Sequence, residues 1–150
     1  MKTTLKDVFL ESGYSIPNYQ RDYAWKEKNF KDLWEDLEEA IEYNKKGHRH
    51  FIGTMVVAKN EDNKKLYDII DGQQRTTTIF MLLHVLASKQ NEEDKRETRK
   101  YLYQKGELKL EVALKTKASS KHSWKRQKKG VLAIAKKMQT PKASKIFLRF

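Results

Sequence analysis

Two short blocks of this chain carry side chains suited to holding an anion. The first is Asp71-Gly72-Gln73-Gln74-Arg75, followed by Thr76, Thr77 and Thr78 and then by an apolar run to Ala87. Glycine permits a tight turn and lets a ligand or another stretch of backbone come close. If a helix starts here, its first N–H groups face outward without intrahelical partners, and such an end attracts phosphate. Arg75 would add a bidentate guanidinium contact, and the glutamines can both donate and accept. The threonines place hydroxyls in the first turn. The G-x-x-x-x-G-K-[ST] spacing of a P-loop is absent. The bland alternative is an ordinary helix start, with Asp71 as its cap and Arg75 paired to a carboxylate.

The second block, Ile16 to Trp25 (IPNYQRDYAW), repeats the glutamine–arginine pair as Gln20-Arg21 and surrounds it with Tyr19, Tyr23 and Trp25. Two arginines could converge on one polyanion, with an aromatic ring against a base. Alternatively, Tyr23 and Trp25 are core residues at alternate positions and Arg21 sits in a surface ion pair.

The elements that must position these blocks follow from hydrophobic period. Phe30, Leu33, Trp34, Leu37, Ala40 and Ile41 recur at three and four residues, which predicts an amphipathic helix over about Glu27–Lys46. His50–Lys59 and Leu66–Asp71 read as strands joined by the polar turn NEDNKK into an antiparallel hairpin. Residues from Gln73 or Gln74 to Ser88 leave almost no polar face, so they predict the central buried helix. A charged surface helix is expected over Asn91–Gln104, and a half-buried strand over Glu107–Val112. Pro17 favours an extended start to the second block.

Charge is segregated. The whole chain carries +12, yet residues 1–111 hold 20 Lys+Arg against 20 Asp+Glu, and residues 112–150 hold 12 Lys+Arg with no acidic residue. The basic tail reads either as a nucleic-acid-binding arm or as a non-native, out-of-frame continuation. There is no cysteine, which excludes disulfides, thiolate catalysis and cysteine-ligated zinc and fits a reducing compartment. No segment reaches the ~18 apolar residues of a membrane span, and the N-terminus lacks the apolar stretch of a signal peptide. A soluble, cytoplasmic protein is expected. His48, His50, His84 and His122 have no nuclease or metal spacing, and His84 is expected as a satisfied core histidine.

Taken in order, IPNYQRDYAW, FIGTMVV and YDIIDGQQRTTTIFMLL resemble the N-terminal domain of GmrSD-type, modification-dependent restriction endonucleases, over roughly residues 5–112. The resemblance implies an α+β fold of the ParB/sulfiredoxin-like kind, a small sheet packed on helices. It implies a nucleoside triphosphate as ligand, with Mg²⁺ beside it, and a role in restricting modified phage DNA. On that analogy Gly72, Gln73, Thr77 and Thr78 hold phosphate together with Gln20 and Arg21. Gln74 and Arg75 would position a water and stabilise developing charge, and Asp71 would be the carboxylate nearest a metal. Residues 1–112 would be the domain and 113–150 its tail. No nuclease motif occurs in the chain, so the implied nuclease would lie on another chain or a missing segment. Two further readings stay open: a ParB-like DNA-binding module without turnover, and a non-functional remnant of a split restriction gene.

Overall fold

A computed structural model describes residues 4–20, 24–48 and 51–112. The chain opens with helix α1 (Leu5–Glu11), which the apolar pattern had not suggested. Thr4 and Asp7 form a reciprocal cap: the Asp7 N–H donates to Thr4 Oγ1 and the Thr4 N–H to Asp7 Oδ2, each at 3.1 Å. Strand β1 (Gly13–Ile16) follows directly and is buried along its whole length. Helix α2 (Glu27–Lys45) matches the expected amphipathic helix and buries Phe30, Leu33, Trp34, Leu37 and Ala40.

Strands β2 (Val56–Lys59) and β3 (Leu66–Asp71) form the expected antiparallel hairpin. Its turn is held by the Asn60 side chain, whose Oδ1 accepts the Asn63 N–H at 2.6 Å while its Nδ2 donates to Asp68 at 2.7 Å. The expected strand at His50–Lys59 is shorter than its composition suggested. Gly53 adopts φ +114°, outside extended geometry, and residues 51–55 run as a loop.

Helix α3 (Gln73–Ala87) is the central buried helix, and α4 (Glu92–Leu102) is the charged one. The segment Glu107–Val112 splits. Strand β5 (Glu107–Leu108) pairs back with β4 (Tyr103–Gln104), and β6 (Leu110–Val112) joins the main sheet. Lys109, between them, causes the break. Its side chain is buried, and Nζ donates to the carbonyls of Phe9 at 2.8 Å and Leu10 at 2.7 Å, closing the C-terminal end of α1.

The main sheet has the order β2-β3-β1-β6, with β1 parallel to both β3 and β6 and β2 antiparallel to β3. It is a small mixed sheet with helices, as an α+β reading requires. Gly13 stands opposite Leu66, and a Cβ there would lie 2.6 Å from Leu66 Cδ2, so a larger residue would displace that side chain. Phe9, Tyr14, Ile16, Ile69 and Leu110 meet Ile79, Phe80 and Leu83 of α3 in one core. His84 is half-buried, with Nε2 3.4 Å from the Tyr103 hydroxyl. No described helix is long and apolar enough to cross a membrane.

Candidate functional site

The start of α3 is built from the turn upward. Strand β3 ends at Asp71, which is exposed, and Gly72 turns the chain in the left-handed region at φ +87°. Gly72, which has no side chain to cap with, is the N-cap, so the N-cap position open to Asp71 in the sequence is not the one it takes. The first intrahelical bond runs from the Thr76 N–H to the Gly72 carbonyl at 3.0 Å. The N-terminal end of this 15-residue helix carries a positive partial charge.

Two loops clasp this helix start. On one side the loop after β1 is stitched to it twice. Gln20 Nε2 donates to the Ile70 carbonyl at 3.0 Å, and the Ala24 N–H donates to Gln74 Oε1 at 2.8 Å. The two glutamine–arginine blocks, fifty residues apart in sequence, are therefore neighbours in space. Trp25 is half-buried and meets Phe30 edge to face at 5.9 Å, which anchors the same loop to α2. Tyr19 stays 68 % exposed.

On the other side lies the loop before β2. A Cβ on Gly72 would be 3.0 Å from the Thr54 carbonyl oxygen and 3.4 Å from Met55 Cα, so the close approach that glycine allows is taken by backbone. Met55 Sδ accepts from the Thr76 hydroxyl at 3.4 Å. Gly53 faces Arg75: a Cβ there would overlap the guanidinium, 2.8 Å from Cζ and 3.3 Å from Nη2. Sequence reasoning passed over Gly53, although an isolated glycine within an apolar, strand-like run is a signal of close backbone approach.

The expected site residues thus fall into distinct places. Gln73, Gln74, Thr77 and Thr78 are buried, Arg75 is half-buried and Asp71 is exposed. Gln74 Oε1 is engaged by backbone, at the atom that would otherwise orient a water. The Thr78 hydroxyl donates to the Gln74 carbonyl at 2.8 Å and so is engaged within the helix. Among the described residues no carboxylate forms a salt bridge with Arg75, so the surface pairing open to it in the sequence does not occur there. Arg21 and Tyr23 lie outside the described residues, as does the whole basic tail. Among the described residues no group of three or more His, Asp or Glu side chains is arranged to hold a metal ion.

The arrangement can present a guanidinium and a helix N-terminus to one anion, on a frame held from two sides. A family model described as the N-terminal domain of GmrSD restriction endonuclease matches residues 5–149. That match runs through the two glutamine–arginine blocks and on through the basic segment. No curated protein shows a significant match.

Proposed function

The chain belongs to the family of GmrSD restriction endonuclease N-terminal domains, and from that membership and the geometry at α3 we propose that it is the nucleotide-binding module of a DNA restriction system. The observation that carries this reading is half-buried Arg75 in the first turn of α3, with no salt-bridged carboxylate among the described residues. A guanidinium and a helix N-terminus both favour the phosphates of a nucleoside triphosphate. The small sheet and the buried helix behind a Gly-x-x-Arg turn, here Gly72 to Arg75, support a ParB/sulfiredoxin-like frame.

In this proposal Arg75 contacts phosphate directly, and Arg21 is the second cation on it. Gly72 and Gln73 shape the phosphate side of the turn, and Thr77 stands behind it. Gln20 and Gln74 hold the two loops in register rather than touching the reacting atoms. Mg²⁺ would arrive with the triphosphate, and exposed Asp71 is the carboxylate at hand for it. If the module turns nucleotide over, its chemistry is positioning and charge stabilisation. DNA cleavage would belong to a nuclease on another segment or chain.

Calorimetry of the full chain with each ribonucleoside triphosphate tests the reading. Binding that Arg75→Ala abolishes supports it. A well-folded native chain that binds none at millimolar concentration overturns it.

A second reading is favoured by charge segregation: 12 Lys+Arg and no carboxylate side chain after Glu111. Residues 113–150 would then be an arm that holds DNA by its backbone while the neutral domain supplies the nucleotide response.

A further inference from the structure

We infer that Gly53, in the FIGT loop before β2, is a positioning residue that sets the guanidinium of Arg75. Its importance for binding rests on the anion-site reading above, whereas the contact itself does not. Three observations carry it. Gly53 holds φ +114°, a conformation other residues rarely adopt. All three of the nearest atoms that a Cβ would meet belong to the Arg75 guanidinium. The loop itself is fixed on the helix start, with Thr54 and Met55 against Gly72 and Met55 Sδ bonded by Thr76.

The geometry separates the two glycines that face this loop. A methyl on Gly72 would meet the backbone of Thr54 and Met55, so the fold itself would have to give. A methyl on Gly53 would meet the far end of a long side chain, so the guanidinium is displaced first, on top of the strain that φ +114° puts on any residue with a Cβ. Arginine's planar fork works only when it is held at a defined angle, because bidentate contact with a phosphate is geometric as well as electrostatic. Among the described residues no salt-bridged carboxylate holds the fork from the side. The bare Cα of Gly53 supplies a surface on which it can lie.

The full native chain and three variants test this. The Arg75 Nε–Hε signal, assigned by its loss in Arg75→Lys, is followed by NMR, and affinity for inorganic triphosphate is measured in parallel. Gly47→Ala controls for backbone strain, since Gly47 has φ +77° with nothing within 4 Å of a Cβ. In the native chain the Arg75 signal should be restrained. In Gly53→Ala it should shift and become mobile while the backbone amide spectrum persists, and triphosphate affinity should fall about tenfold. Gly47→Ala should change neither. A native Arg75 signal with the mobility of a free side chain overturns the inference without any variant, and so does an unmoved signal in Gly53→Ala. A displaced guanidinium with undiminished triphosphate affinity confirms the contact and instead overturns the assignment of Arg75 to the anion site.

Discussion

Gln74 Oε1 accepts the backbone N–H of Ala24 at 2.8 Å, joining the first turn of α3 to a loop fifty residues earlier. Gln20 returns the tie from that loop to the Ile70 carbonyl. Glutamine suits this because its carboxamide imitates a peptide group, extending the hydrogen-bonding pattern of backbone between elements that do not form a sheet. Gln74→Ala should therefore cost about 1 kcal/mol of stability, since the Ala24 N–H is only partly buried and can recover water. Its effect on triphosphate affinity should exceed that of Gln20→Ala, whose bond is exposed. Urea unfolding alongside calorimetry checks both, and equal binding by Gln74→Ala and the native chain would remove Gln74 from any positioning role.

What the sequence disclosed is what local pattern can disclose. The apolar run from Ile79 to Ala87 required a buried helix, and β2 and β3 around NEDNKK required a hairpin. The Thr4–Asp7 cap was equally local, but α1 is only seven residues long and offers little period to recognise. Contacts between distant segments stayed hidden. Lys109 looks like the polar position of an alternating strand until the carbonyls of Phe9 and Leu10, a hundred residues away, are seen at its Nζ. Gly53 looks like a weak point in a strand until Arg75 is seen against it. The site's residue types were legible, but the division between those that hold the frame and those that face an anion was not.

Lys109 carries the second prediction. No basic residue occupies the last turn of α1, and Lys109 serves its carbonyls from across the fold. Lys109→Met keeps the aliphatic stem but leaves two carbonyls without their donor, at a cost of about 3 kcal/mol. Burial holds the Lys109 ammonium below the usual lysine range. The unfolded chain therefore binds more protons than the folded one in the alkaline window between the lowered folded pKa and the ordinary lysine value. Native stability should rise through that window relative to Lys109→Met, so the gap between their urea midpoints widens as pH increases. A gap that narrows there would show that the bonds from the ammonium to the Phe9 and Leu10 carbonyls outweigh its desolvation.

Gly72 carries the third. An alanine there must adopt φ +87° and also meet the Thr54 carbonyl oxygen at 3.0 Å. Left-handed geometry alone costs a non-glycine residue about 1–2 kcal/mol. Gly72→Ala should exceed that, whereas Gly47→Ala, with open space at its Cβ, should stay near about 1 kcal/mol. Chemical unfolding of the two variants side by side isolates the part due to the loop. Equal losses would mean that Thr54 and Met55 yield freely and do not brace the turn.

The tail supplies the last prediction, and it separates DNA binding from the site at α3. If residues 113–150 hold duplex DNA through phosphates, affinity must fall steeply with salt, because each neutralised phosphate releases counterions. Replacing Lys125, Arg126, Lys128 and Lys129 by glutamine in the full chain removes four such charges. The logarithmic salt slope should then become shallower by up to about 3.6. Arg75→Ala should leave that slope unchanged while abolishing triphosphate binding. The opposite pattern, a slope sensitive to Arg75 and indifferent to the four tail substitutions, would place nucleic acid at the α3 turn and make the charge segregation irrelevant to binding.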